Sequence, residues 1–438
     1  MKNLLSTLCL SVLLLSVVAC SSDDEKPPLQ GERLSILELQ DSLKISEDAT
    51  AIPFEMPQVW KNGFWPQAGG YPSHVLEHLS LNAGELRRTW SADIGQGSES
   101  NLPLTAQPVA ADGRIFTLDT DSRLSAFDVS NGERLWRANV QDEEEDDEVI
   151  GGGISHSNNV LYVTNGYDEV LSVAPENGDI LWRTKLDSPA RAAPTILENR
   201  VFVTTLNSTL YAIDATSGQV LWDYTTIGES AGLLGAASPA ANRDIVVPAF
   251  SSGEIYALRV ENGSVAWSDN LSGVRRFGGL NVLSDIKGLP VIHDGVVYAI
   301  SFGGRMVAID ERTGERVWQI DISGSQTPWV AGNAVFIFSS DNQLASIERR
   351  TGQVRWVKQL NRYAKPESRK GPITWTGPVL AGGRLILVSS DGRLLEVSPE
   401  DGTFLRENDI GGSFMIPPIV AGDTLYLLAE NGSLLAYR

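Results

Sequence analysis

Cysteine is nearly absent from this chain: Cys9 and Cys20 are the whole supply. Cys9 falls in a leading apolar stretch with the character of a removable signal, so no pair is left for a disulfide. Nor is there a thiolate cluster for zinc or iron–sulfur binding. Positive charge is also scarce. Lys and Arg number 35 against 55 Asp and Glu, a formal net charge of −20. Affinity for nucleic acid comes from neutralising phosphates, so this balance argues against such a partner and against tight adhesion to anionic lipid. Histidine occurs four times. His74 and His78 would share one face if the segment were helical, but without a third ligand they are weak evidence for a metal. His156 and His293 stand alone in strand-like contexts. No P-loop, Gly-x-Ser-x-Gly elbow or His-Glu-x-x-His is present. No apolar run is long enough for a comfortable membrane span.

The leading apolar run, Leu4 to Val18, instead has the anatomy of a secretory signal, with Lys2 before it. It ends in Val17-Val18-Ala19-Cys20, which resembles the lipobox of bacterial lipoproteins. Small residues fit the peptidase, and the thiol of the cysteine accepts a diacylglycerol. Residues 1–19 are therefore expected to be a signal peptide and Cys20 the lipidation site, anchoring the protein to a membrane without spanning it. Ser21, where an Asp would retain a lipoprotein at the inner membrane, favours the outer membrane and a periplasmic body. Residues 20–83 are expected to form a lipidated tether and an aromatic extension. Ser21 to Gly31 is polar and linker-like, and Trp60 to Pro72 is aromatic enough to pack on whatever follows. A cell-envelope sensor is disfavoured, since no transmembrane or signalling segment succeeds the signal.

The remainder repeats. A turn residue, Gly, and then Trp recur at Asn131-Gly132…Trp136, Asn177-Gly178…Trp182, Ser217-Gly218…Trp222 and Asn262-Gly263…Trp267. Thr313-Gly314…Trp318 and Thr351-Gly352…Trp356 continue the series, and Asp401-Gly402…Arg406 is a copy without its Trp. Successive spacings are 46, 40, 45, 51, 38 and 50 residues, the period of a four-stranded propeller blade. Within a unit, short β-branched and aromatic runs alternate with Asp-Gly and Asn-Gly turns suited to tight hairpins. Residues 416–438 hold three such runs and no fourth, while Glu85–Trp90 is an orphan with Trp90 46 residues before Trp136. The orphan is expected to complete the last blade and so hide two sheet edges. The expected fold is all-β: an eight-bladed propeller over residues 84–438, closed by an N-terminal strand. The repeated Trp residues are assigned to packing between blades rather than to ligand stacking.

The rhythm of Leu210-Tyr211-Ala212-Ile213-Asp214…Gly218…Trp222 resembles the quinoprotein-like (PQQ-type) propeller repeat. Joined to a lipobox, eight such blades resemble the BamB family of outer-membrane protein assembly lipoproteins. That resemblance implies a non-catalytic scaffold of the outer-membrane β-barrel assembly machine, with no cofactor, meeting other machine subunits and unfolded outer-membrane protein clients. It also implies that Gly228, Glu229, Ser230, Leu283, Ser284 and Asp285, on two loops, contact a POTRA domain of the BamA-type barrel protein. Ile227 and Lys287 depart from the family pattern, which has Arg and an acid there. The same repeat serves quinone-dependent dehydrogenases, the enzymatic alternative. Those use calcium, a catalytic Asp and commonly a vicinal disulfide, which a chain with one mature cysteine does not form. The acidic run Asp142 to Glu148 lies between two blades and is expected to be a solvated loop, with steering of a basic partner or weak calcium binding as lesser possibilities.

Overall fold

The computed structural model describes residues 43–141, 149–226, 236–272 and 285–438. Cys20, the tether, the acidic run 142–148, Gly228, Glu229, Ser230, Leu283 and Ser284 lie outside the described residues. The described chain is almost wholly β-structure: eight four-stranded antiparallel sheets and a separate hairpin. In the first blade the strands are Val109–Ala111, Arg114–Leu118, Arg123–Asp128 and Arg134–Asn139, ordered outward from the axis. Six more blades repeat this plan. The eighth consists of Ile419–Ala421, Thr424–Leu428 and Ser433–Tyr437, and its outer strand is Arg88–Asp93, as expected from the orphan Trp90. The closing register sets Trp90 opposite Ala436 and Asp93 opposite Ser433. Among the described residues no helix is long and apolar enough to cross a membrane.

Position in the blade sets the pattern of burial. The middle strands lie between two neighbouring blades, so both faces are covered; all of Glu169–Val173 is buried. The outermost strand borders solvent and alternates, as in Ile180–Lys185. The blades meet through the repeated Trp and Gly. Each Trp indole N–H donates to a backbone carbonyl of the next blade, as Trp136 to Pro175 at 2.9 Å and Trp222 to Val260 at 3.1 Å. The same bond recurs for Trp90, Trp182, Trp267, Trp318 and Trp356. Under each indole sits the turn glycine of that next blade. A Cβ on Gly263 would stand 2.6 Å from the Trp222 ring, and the residue holds φ +71°, a left-handed conformation that glycine adopts freely.

At the junction of the seventh and eighth blades the arrangement differs, and the copy that lacks its Trp is explained. The eighth blade has no turn there, because its third strand ends at Tyr437 and its fourth begins at Arg88. With no glycine floor, Arg406 replaces the indole, reaching Glu396 at 2.7 Å and the Gly84 carbonyl at 3.1 Å. Buried Arg384 meets the same carboxylate at 2.7 Å and donates to the Asn82 carbonyl at 2.8 Å. Arg87 and Arg438 exchange backbone bonds of 2.8 and 3.0 Å beside them.

Residues 43–83 dress one side of the ring. A short helix, Glu47–Ala51, lies on the outer strand of the sixth blade, Val354–Gln359, and buries Ala49. The chain then makes a circuit over the inner strands. Asn62 bonds Val420 of the eighth blade, Trp65 exchanges bonds with Ala110 of the first, and the Pro66 carbonyl accepts from His156 of the second. Gln67 bonds Ile196 in the third blade, Pro72 takes Ala241 in the fourth, and Ser73 takes Ile292 in the fifth. Glu77 accepts from Trp329 of the sixth, and Leu79 bonds Leu380 of the seventh. All eight blades are touched in ring order. No helix forms at His74 and His78, which both belong to this circuit but do not converge. His74 Nδ1 lies 2.6 Å from the Pro290 carbonyl. His78 Nε2 accepts the Gly383 N–H at 2.9 Å, so its proton sits on Nδ1, facing the Pro57 carbonyl.

Two consequences of these contacts can be measured. Gly295 shares the left-handed φ of Gly263, but a methyl group placed on it would meet nothing within 4 Å. Gly295→Ala should lower unfolding free energy by about 1 kcal/mol for the backbone alone. Gly263→Ala should lose a further 1–3 kcal/mol, roughly, because the indole must move; equal losses in chemical denaturation would refute the role given to the Trp floor. The second concerns His74, whose burial pulls its pKa down to about 4, against a smaller opposing pull from the Pro290 carbonyl. A histidine depressed in the folded state contributes fully above its ordinary pKa near 6.5. That contribution shrinks as pH falls toward 4, because the unfolded chain takes the proton first, at about 1.4 kcal/mol per pH unit. Between pH 7 and 4.5 the parent should lose about 2–3 kcal/mol more than His74→Gln. Parallel pH profiles for the two proteins would show that His74 is not the cause.

Candidate partner-binding face

Antiparallel blades give the ring two unlike faces. Turns joining first to second and third to fourth strands lie on one side, with the 43–83 segment over them: Glu55 and Pro57 press on Gly332, and Leu81 on Gly382. Turns joining second to third strands, and every connection between blades, emerge on the other. This second face holds the strand ends that carry both expected docking loops. One loop leaves the third blade after Thr225 and enters the fourth at Ala240; the other leaves after Asn270 and enters the fifth at Val291. The strand ends that these connections join border adjacent gaps of the ring. Of the six residues expected to bind a partner, only Asp285 is described. It is buried, its carbonyl accepts the Phe302 N–H at 2.8 Å, and Ile286 beside it is buried as well. Lys287 next to them is exposed.

Beside those strand ends lies a cluster that the repeat pattern does not single out. Tyr224, near the end of the third blade, packs on Tyr256 of the fourth with ring centres 5.2 Å apart, and Phe250 closes edge-on at 6.0 Å. Thr226 donates to Glu254 at 2.9 Å in the same group. Burial, with Tyr256 and Glu254 beside it, pushes the Tyr224 hydroxyl up to about 12, so it stays a neutral hydrogen-bonding group. The sequence signal was present only as two tyrosines in neighbouring repeats, which nothing local connects.

The described acids do not assemble a cation site. Among the described residues no three His, Cys, Asp or Glu side chains converge as a metal would require. The buried carboxylates have internal partners: Glu169 holds Arg183 at 2.6 Å, Glu396 holds Arg384 and Arg406, and Asp119 accepts the N–H groups of Asp121 and Arg123. Among the described residues, these acids are therefore already engaged within the blades. His156 and His293 are likewise engaged, lying 3.0 Å from Asp112 and 3.4 Å from Glu77.

Comparison with known proteins sets these features in a family. The profile of the outer membrane protein assembly factor BamB matches residues 78–155, 120–358 and 361–438. The BamB of Yersinia pestis is 24% identical over 358 residues, covering 80% of this chain and 88% of that one. In three dimensions the crystal structure of BamB from Moraxella catarrhalis is similar, with a TM-score of 0.63, 20% identity, and coverage of 81% of this chain and 98% of that one. The quinohemoprotein alcohol dehydrogenase of Comamonas testosteroni gives 0.66 at 12% identity, covering 92% and 83%, a likeness of fold alone. With the profile spanning nearly the whole propeller, the chain belongs to the family of the outer membrane protein assembly factor BamB.

Proposed function

We propose that this protein is a non-catalytic, lipid-anchored scaffold of the outer-membrane β-barrel assembly machine. It is held at the outer membrane by Cys20 and faces the periplasm. Its loop face docks on the POTRA domains of a BamA-type barrel protein, in company with other subunits, and helps assemble and insert outer-membrane proteins. The observation that carries this reading is the asymmetry of the ring. One face is covered by the chain's own 43–83 segment, while the other carries an aromatic and carboxylate cluster beside the strand ends from which both loops depart. In this reading Glu229 and Ser230 touch the partner together with Gly228, Leu283 and Ser284. Buried Asp285 fixes the return of its loop into the fifth blade. Extended clients have an available mode of attachment along the outer strands other than that of the sixth blade, which Ile45 and Ser46 already border; there backbone pairing gives affinity and alternate side chains give selectivity.

The dehydrogenase reading keeps one support, the likeness of fold to quinohemoprotein enzymes. Fold alone does not assign chemistry, and the internally paired acids speak against it.

Pull-down of the purified periplasmic domains of the barrel protein tests the docking. Glu229→Lys should weaken capture at least tenfold, roughly the loss expected when a charged contact in an interface is reversed, and Asp285→Asn should act only through the loop it anchors. Undiminished capture would remove these loops from the interface. Titration with PQQ and Ca²⁺ in a dye-linked assay should show neither binding nor turnover; a saturable signal would favour the enzyme.

A further inference from the structure

In a chain of net charge −20, one projecting element carries the opposite sign. Between the sixth and seventh blades, the strands Tyr363–Lys365 and Lys370–Pro372 form a two-stranded hairpin of their own. It stands on the loop face. Residues 364–372 are all exposed, so packing against the ring does not account for it. Its base is nevertheless fixed. The Ile373 N–H donates to the Arg362 carbonyl at 2.9 Å, and the Asn342 amide donates to the carbonyls of both Asn361 and Ile373, at 3.0 and 2.8 Å. Arg362 is tied to Asp341 at 3.1 Å. A clamped stem therefore presents a solvent-bathed tip in one orientation, which lowers the entropy lost when a partner is engaged.

The tip is built against its own electrostatics. Lys365 and Lys370 are direct cross-strand partners, and like charges set opposite one another destabilise a hairpin. Arg369 adjoins them at φ +51°. Among the described residues no acid forms an ion pair with any of the three. We infer that this hairpin is a second docking element, whose paired lysines and Arg369 receive carboxylates from an acidic surface of a protein partner. A carboxylate placed between the two lysines turns their repulsion into two attractions. A protein surface fits better than a lipid one. Glu367 stands among the cations at the tip and would be repelled by headgroup phosphates, and the tip has no large apolar side chain to enter a bilayer. Both outer edges of the hairpin are unpaired among the described residues, so backbone pairing is open to a partner strand.

The inference rests on the docking reading above, with the barrel protein's periplasmic domains as the partner. Its test uses the full-length lipoprotein in detergent and the variant Lys365→Glu/Arg369→Glu/Lys370→Glu. Circular dichroism and melting should be unchanged, since the substituted side chains lie off the ring. Affinity for the periplasmic domains should fall about tenfold at low salt, and the gap should narrow as salt screens the charges. Lys365→Arg/Lys370→Arg should bind like the parent. If the parent binds and the charge-reversed protein binds equally, the hairpin inference fails and the docking reading stands. If the parent does not bind at all, both fall. A loss seen only in recruitment to vesicles containing phosphatidylglycerol, with partner binding intact, would overturn the inference in favour of lipid.

Discussion

The ring depends on an indole laid over a glycine. Each of these Trp side chains is gripped twice, by a hydrogen bond to the next blade and by the Cβ-less turn beneath it. In most blades it also leans on an aromatic of its own second strand: Trp136 on Phe116, Trp222 on Phe202, Trp318 on Tyr298, with ring centres 5.9 to 6.1 Å apart. Such aromatic pairs add about 0.5–1.5 kcal/mol beyond the area they bury. The contact is always between neighbours, so the repeat propagates through its junctions more than through its blades. A Trp in one unit places a demand on the turn of the next.

That dependence accounts for the one junction built differently. Where the chain termini meet, no turn exists to supply a glycine, and an indole there would have no floor. The fold substitutes a buried Arg384–Glu396 pair with Arg406 above it. Breaking a buried ion pair by removing one partner commonly costs about 3–5 kcal/mol, although the intact pair adds little over an apolar replacement. What it adds here is specificity. The guanidinium groups read the carbonyls of Asn82 and Gly84, and so fix where the incoming strand lies before Trp90 pairs.

Much of this was legible in the sequence, because it is carried by local patterns. Turn residues at a fixed offset from Trp mark the blades, and Trp90 marks the closing strand. The missing Trp at Arg406 was visible as a gap, but its reason lay in a junction between residues far apart in the chain. The aromatic content of Trp60 to Pro72 pointed to packing, but the path of the circuit over residues 60–79 left almost no signal. Its contacts are scattered bonds to inner strands, made by the side-chain amides of Asn62 and Gln67 and by the Pro72 carbonyl, with no period to detect. The spacing of His74 and His78 suggested a helix face, yet both His74 and Glu77 take positive φ, and tertiary bonds to Pro290 and Gly383 override the local pattern. At the docking loops, the residue types were readable while the burial of Asp285 was not, since it follows from how the loop re-enters the fifth blade. The basic hairpin gave no strand signal either: Lys, Pro and Gly dominate its short strands.

The circuit over the inner strands has a consequence for the order in which the molecule is made. Residues 60–93 precede every complete blade in the chain, yet their partners include Val420, Leu435 and Ala436 in the eighth blade. The first part of the polypeptide is therefore the last to find its place. Until the eighth blade forms, Trp65 and Trp90 have no completed ring to enter, and the closing contacts carry the largest sequence separations among the described residues, the kind that form slowly. Throughout that interval an aromatic segment and an unpaired strand are open to solvent.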